Sequence, residues 1–144
     1  MEKEKALEFW DQVYGSNCKW KQDCFGTWMY RDDYGNQNTL RRRDPSSNKS
    51  YNYGWEIDHI RPKCSFENEN DGSFLNNYEP MHWTNNREKS DKYPHFTIEN
   101  VQYVVVKCSI CNSNNLQGYG IRRKIDYTRV DWKAIQKGYF NSAL

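Results

Sequence analysis

The sequence has no hydrophobic run that approaches the roughly 20 residues needed to cross a bilayer. Its first residues, MEKEKALEFW, also lack the apolar run of a secretory signal peptide. We therefore expect a soluble, cytoplasmic protein without a membrane partner. An excess of one charge is absent as well, because 21 Lys and Arg stand against 19 Asp and Glu. Net charge alone therefore does not identify a polyanionic partner.

The sequence has five cysteines, an odd number that leaves at least one without a disulfide partner in the chain. In a reducing compartment this number argues against a disulfide framework and leaves metal ligation or simple burial. One pair, Cys108 and Cys111, has the CxxC spacing that lets two thiolates hold one tetrahedral ion, and Cys18 and Cys24 are candidate partners. Two alternatives stay open, a structural zinc ion held by these four cysteines or thiols without a metal.

The length of 144 residues fits one globular domain, and an aromatic content of 16% can build a small core from large rings. Apolar residues recur at helical spacing over 3–14, which predicts an amphipathic helix that ends at Gly15. Residues 18–30 favour a hairpin or irregular strands. The segment 31–54 is dense in Asp, Asn, Ser, Gly and Arg and predicts a long loop.

The middle of the chain predicts strand, loop, strand and helix in that order. Residues 55–60 alternate in character and end before Pro62, and 77–82 can form a second strand. Thr84 is a candidate cap for a short helix that extends to Asp91. Together with the first helix, this pattern predicts an α+β fold.

The rest of the chain predicts a β-hairpin and a helical extension. Residues 96–107 are β-rich with a turn signal at Glu99-Asn100, and Asp131 can cap a helix over WKAIQKGYF. The segment 107–144 has seven basic and two acidic side chains. We therefore favour its run 122–124 over the arginines at 41–43 as a phosphate contact, with a solvated face as the alternative for each.

Asp58 and His59 are adjacent at the end of the first predicted strand. Successive side chains of a strand point to opposite faces, so the two residues can serve different roles. If Asp58 faces a divalent cation with an Asn oxygen from the following helix, His59 can act as general base on a water. An ordinary His pKa of about 6.5 leaves the imidazole mostly neutral at pH 7, as that role requires.

The segments WEIDHIRP, LNNYEPMH and NNREKSDK together resemble the HNH nuclease motif, the ββα-metal fold of many phage, restriction, mobile-element and CRISPR effector nucleases. Asn86 follows Asn77 by nine residues, the family's usual interval between its middle Asn and its last His or Asn. A slip to Asn76 and Asn85 keeps this interval, but NREK, which begins at Asn86, favours the first register. The resemblance covers about 8–107 and includes features of short stand-alone bacterial members.

The resemblance implies a single HNH domain over 1–144. Its ββα-metal core would span about 54–92, with an N-terminal helix, an extra β-hairpin and a basic, helical C-terminal extension at 107–144. In this arrangement His59 would be the general base. The side chain of Asn77 would form hydrogen bonds to the loop backbone and so keep the strand with His59 in its orientation.

The resemblance also implies the ligands of one divalent cation, Mg²⁺ or a similar ion such as Mn²⁺. These are Asp58 and Asn86. Three cationic side chains nearby are candidate phosphate contacts: Arg61, Arg87 and Lys89. His82 and Asn85 stand where zinc-bearing members often have Cys, so we expect no zinc knuckle of the usual kind.

The implied function is a metal-dependent endonuclease that hydrolyses DNA phosphodiester bonds, with duplex DNA favoured. One metal and one base cut one strand, so a monomer would nick, and a double-strand break would need a homodimer or two successive events. The alternative is a non-catalytic nucleic-acid-binding or zinc-stabilised adaptor with the same fold. An immunity or accessory protein as partner depends on the biological system, which the sequence does not identify.

Overall fold

The structure is a computed structural model, and it describes residues 1–109 and 117–135. These residues form a mixed α+β fold, as the sequence predicts. The helices are α1 Lys3–Tyr14, α2 Trp83–Lys89 and α3 Trp132–Ile135. The strands are β1 Trp20–Gln22, β2 Trp28–Tyr30, β3 Leu40–Arg41, β4 Tyr51–Asn52, β5 Trp55–His59, β6 Tyr78–His82, β7 His95–Ile98, β8 Val101–Ser109 and β9 Gln117–Arg123. No helix among the described residues is both long and apolar enough to cross a membrane.

Each strand pairs with a strand that is its neighbour in the sequence. β1 pairs with β2, β3 with β4 and β5 with β6, and β7, β8 and β9 form a three-stranded sheet in that order. The chain divides into two compact units. The first contains Met1–Ile57 and Pro80–Asn86, and the second contains Asp58–Glu79 and the described residues from Arg87 onwards.

Helix α1 supplies much of the core of the first unit. Its apolar stripe is buried, and the helix ends at Gly15, so the predicted amphipathic helix is confirmed. Trp10 packs against Trp55 of β5 with ring centroids 4.9 Å apart, and Ala6 and Met29 complete the fully buried cluster. This packing fixes the start of β5 to the first unit.

The segment 31–54 is more ordered than the predicted loop, because β3 and β4 pair within it. Side-chain amides hold its backbone: Nδ2 of Asn52 donates to the carbonyl oxygens of Asn36 (3.2 Å) and Thr39 (3.0 Å). Gly54 follows directly, and a Cβ there would collide with the carbonyl oxygen of Asn36. Close backbone approach therefore requires glycine immediately before β5.

The predicted hairpin of the second unit is confirmed by β7 and β8. Its turn residues Glu99 and Asn100 both have positive φ, 47° and 68°, as a two-residue hairpin turn requires. β9 is not predicted by the sequence, because glycines interrupt its apolar alternation. Gly118 is required there, since a Cβ would lie 2.7 Å from the side chain of Asn76. The helix predicted after Asp131 begins as α3, and its remainder lies outside the described residues.

A buried polar network attaches the start of α3 to β6. The backbone N–H of Trp132 donates to Glu79 at 2.9 Å, and the ammonium of Lys133 donates to the carbonyl oxygen of Asn76 at 2.8 Å. Burial, together with the nearby charge of Asp131, raises the pKa of Glu79 well above its usual range. These bonds hold the segment that leads into β6 from both sides of Asn77.

Candidate active site

Asp58 is buried near the end of β5, with 5% of its surface exposed. Its Oδ2 lies 3.1 Å from Nζ of Lys89, and its Oδ1 accepts a hydrogen bond from the same ammonium at 3.4 Å. Oδ2 itself has no hydrogen-bond partner within the described residues. Burial raises the pKa of Asp58 to about 6, against the lowering effect of the Lys89 charge. The buried carboxylate is thus ion-paired with Lys89, and its Oδ2 has no further partner in the described part of the chain.

Lys89 is the last residue of α2 and is fully buried. Besides Asp58, its ammonium contacts the carbonyl oxygen of His59 at 3.1 Å and lies 5.3 Å from the ring centroid of Phe96. A phosphate contact by Lys89 stays a prediction, but in this structure the ammonium compensates the Asp58 charge. The sequence gives no sign of this burial, because lysine is seldom buried unless it is paired.

His59 ends β5 and is half-buried. Its ring packs edge-on against Tyr78, with centroids 5.3 Å apart, and neither ring nitrogen has a hydrogen bond within the described residues. Burial lowers the pKa of His59, and the charges of Lys63 and Lys89 lower it further. These effects favour a neutral imidazole with a nitrogen that can accept a proton.

Asn77 is fully buried directly before β6 and uses its whole amide. Its Oδ1 accepts the backbone N–H of Arg61 at 2.8 Å, and its Nδ2 donates to the carbonyl oxygens of Arg61 (3.0 Å) and Gly72 (2.9 Å). The backbone N–H of Ile60 also donates to the Asn77 carbonyl at 2.7 Å. Asn77 therefore fixes the backbone that follows His59.

Replacing Asn77 with Ala should lower the free energy of unfolding by about 3 kcal/mol, because two carbonyl groups and one N–H would lose their partner in a buried place. Nicking activity should fall in parallel, since the backbone after His59 is released. Thermal unfolding and plasmid nicking measure the two effects, with Asn70→Ala, at an exposed position of the short 3₁₀ helix Glu69–Gly72, as control. A melting temperature equal to that of the control would contradict the role given to Asn77.

Arg61 is occupied by contacts within the second unit. Its guanidinium donates to Oγ and to the carbonyl oxygen of Ser65, both at 2.9 Å, and to the hydroxyl of Tyr119 at 2.8 Å. It also lies over the ring of Phe66 at 4.1 Å. Arg87 is exposed on α2. Phosphate binding by both arginines stays a prediction, and Arg61 already has a structural role between its loop and β9.

Asn86 lies on α2 in the first unit and is half-buried. Its Nδ2 donates to Oε1 of Glu56 at 3.1 Å, which orients the amide and leaves Oδ1 without a hydrogen bond in the described part of the chain. Sequence reasoning missed Glu56. The alternation of side chains along a strand could have identified Glu56, since residues i and i+2, here 56 and 58, point to the same face of β5.

The described residues contain no cluster of three His, Cys, Asp or Glu side chains that could hold a metal ion. The predicted Mg²⁺ site needs fewer, because Mg²⁺ keeps several waters and takes few protein oxygens. The carboxylate of Asp58 and the amide oxygen of Asn86 are both hard oxygen donors of the kind that Mg²⁺ prefers. Asp58 belongs to the second unit and Asn86 to the first, so binding of one cation by both residues stays a prediction.

Of the four cysteines predicted as alternative zinc ligands, the three within the described residues form no group that could hold a metal ion. Cys18 donates to the carbonyl oxygen of Trp20 at 3.3 Å, Cys24 is half-buried, and Cys111 lies outside the described residues. Burial raises the pKa of the Cys108 thiol, which disfavours the thiolate that zinc needs. Structural zinc therefore stays a prediction without support from the described residues.

His82 and Asn85 belong to a hydrogen-bonded network around Asp23, which is buried. The backbone N–H of His82 and Nδ2 of Asn85 both donate to Oδ2 of Asp23, at 3.0 and 2.8 Å. The ring nitrogens of His82 contact Oγ1 of Thr84 and the carbonyl oxygen of Asn52, both at 2.9 Å. Hydrogen bonds thus link this part of α2 to the β1–β2 hairpin.

Comparison with known proteins assigns no family, since no family model, no curated protein and no solved structure matches this chain. The function must therefore be inferred from the geometry of the site and the order of its residues in the sequence.

Proposed function

We propose that the protein is a metal-dependent endonuclease that hydrolyses DNA phosphodiester bonds, with a ββα-metal core formed by β5, β6 and α2. The observation that carries the proposal is the pair Asp58 and His59 at the end of one strand. The ring nitrogens of His59 have no hydrogen bond within the described residues, and the pKa of His59 is lowered, while Asp58 has a buried carboxylate that is ion-paired with Lys89. A base and a cation ligand are thereby combined in two adjacent residues.

In this proposal His59 removes a proton from the attacking water, and its neutral ring needs no prior deprotonation by solvent. Asn77 holds the backbone after His59, and Lys89 holds the carbonyl of His59, so the backbone that carries the imidazole is fixed. A divalent cation held by Asp58 and Asn86 would stabilise negative charge on the phosphate and the leaving 3′ oxygen. Glu56 orients the Asn86 amide for that contact.

A non-catalytic nucleic-acid-binding adaptor is the second candidate. The observation that favours it is the buried ion pair between Asp58 and Lys89, which gives Asp58 a structural partner. An adaptor would bind DNA but would not convert supercoiled plasmid to the nicked form with Mg²⁺. The same assay with EDTA shows whether any conversion needs the metal, and it separates the two functions directly.

Asn86→Ala should reduce Mg²⁺-dependent nicking on the order of 100-fold, because loss of a ligand removes much of the charge stabilisation that the cation provides. The fold should stay intact, since the half-buried Asn86 side chain has one hydrogen bond, to Glu56. Nicking rates over a Mg²⁺ titration and far-UV circular dichroism measure the two effects. Asn48→Ala, on the exposed loop before β4, is the matched control. Equal rates for both variants would remove Asn86 from the site.

A further inference from the structure

An open groove in the first unit lies outside the proposed active-site residues. Its volume is about 580 Å³, within the range of small-ligand sites. Its wall is formed by the start of β2, by β4 and the residue after it, and by the junction of β6 with α2. Its main side chains are Trp28, Arg43, Tyr51, Tyr53, Trp83 and Thr84.

Aromatic rings and one cation dominate this groove. The guanidinium carbon of Arg43 lies 4.0 Å from the ring centroid of Trp28, so a planar cation is stacked on an indole. Tyr51 is 52% exposed, and its ring contacts Tyr53 with centroids 6.4 Å apart. Among the described residues that line the groove, Arg43 carries the single formal charge and none is acidic. The groove therefore complements a planar, negatively charged ligand.

The walls of the groove are fixed by hydrogen bonds. The indole N–H of Trp83 donates to Oδ1 of Asn52 at 2.6 Å, and Oγ1 of Thr84 contacts Nδ1 of His82 at 2.9 Å. Thr27 Oγ1 accepts from the Asn85 amide at 2.9 Å. The rings of Trp83 and His82, held in this way, lose little freedom when a ligand binds, which favours affinity.

We propose that this groove binds an unpaired nucleotide of a DNA strand, with the base stacked on the exposed ring of Tyr51 and a phosphate at Arg43. Aromatic rings accept any base face, whereas bases within a duplex are already stacked on each other. The choice of nucleic acid as the partner rests on the proposed nuclease function. The groove adds a preference for single-stranded or locally open DNA.

This inference replaces the basic run 122–124 as the favoured contact outside the motif. Arg122 is 9% exposed, and its guanidinium donates to the carbonyl oxygen of Tyr127 and lies 4.6 Å from that ring. Arg123 forms an ion pair with Asp126 at 3.1 Å. Lys124 is the exposed member of the run. The run is therefore not a continuous cationic surface.

The test is the binding of a fluorescein-labelled single-stranded oligodeoxynucleotide, followed by anisotropy in EDTA so that no cutting occurs. Tyr51→Ala should weaken binding by a factor of roughly 5 to 150, the range found when one stacked base loses its ring. Tyr51→Phe should bind like the wild type, because the stacking surface is kept. Arg43→Gln should reduce the slope of log K against log salt by about 0.7, and Arg42→Gln, the exposed neighbouring arginine, should leave the slope unchanged.

Unchanged affinity for Tyr51→Ala, with thermal unfolding equal to that of the wild type, would overturn the inference. Equal losses for Arg42→Gln and Arg43→Gln would also overturn it, since general charge would then explain binding. Equal affinity of the wild type for duplex and single strand would do the same. All of these experiments measure DNA binding in the absence of metal. Weaker binding by Tyr51→Ala therefore supports the groove even if the protein nicks no plasmid. Unchanged binding by a protein that does nick plasmid rejects the groove and leaves the proposed nuclease function in place.

Discussion

Plasmid nicking with Mg²⁺ should fall by a factor of about 10² to 10⁴ when His59 is replaced by Ala, because that range is typical for removal of a general base. The fold should remain, since the His59 side chain has no hydrogen bond within the described residues and contributes one edge-on ring contact with Tyr78. Initial rates of conversion from supercoiled to nicked plasmid measure the effect. Melting temperature shows that the variant is folded.

His95→Ala is the matched control, because His95 is an exposed histidine on β7 in the same unit as His59. It should nick like the wild type. If His59→Ala keeps its rate while DNA is still cut in a Mg²⁺-dependent manner, another group must activate the water, and the assignment of the base is wrong.

Asp58→Ala should lower the free energy of unfolding by about 3 to 5 kcal/mol, the cost of leaving a buried charge without its partner. The charge is the ammonium of Lys89, which is fully buried and 3.1 Å from the carboxylate. A loss of this size lowers the melting temperature by roughly 10 to 17 °C in a chain of this length. The motif alone gives a different expectation, a variant that is inactive but fully stable, because it treats Asp58 as a metal ligand without a structural partner.

The double variant Asp58→Ala/Lys89→Met separates stability from activity. Methionine removes the buried ammonium while keeping a similar volume, so most of the lost stability should return. Nicking should stay absent, because the carboxylate ligand is still missing. A single variant Asp58→Ala as stable as the wild type would show that Lys89 is not confined by Asp58 in solution.

Local sequence signals explain the parts of the fold that could be predicted. The stripe of α1 and the turn at Glu99-Asn100 are encoded within a few residues, by helical spacing in the first case and by residues tolerant of positive φ in the second. β3, β4 and β9 were missed because the first two have two residues each and the third is interrupted by glycines that allow close contact with distant side chains. Their pairing depends on tertiary contacts that no short window contains.

The same distinction applies to the candidate site. The spacing of Asp58, His59, Asn77 and Asn86 could be compared with a known motif from the sequence alone, because order and interval along the chain are visible there. The partners of these residues could not, since Lys89 is 31 positions from Asp58, and Glu56 is 30 positions from Asn86. Contacts at such separations depend on burial and on side-chain direction, and a sequence pattern specifies neither.

Gly54 has a consequence for how this chain can evolve. A side chain at this position would collide with the carbonyl oxygen of Asn36, so almost every amino-acid change there would force the neighbouring turn open. Neutral drift can accumulate at exposed turn positions such as Asn38, whereas position 54 tolerates little beyond synonymous codons. The strand that ends in Asp58 and His59 is therefore preceded directly by a position at which few substitutions are compatible with the fold.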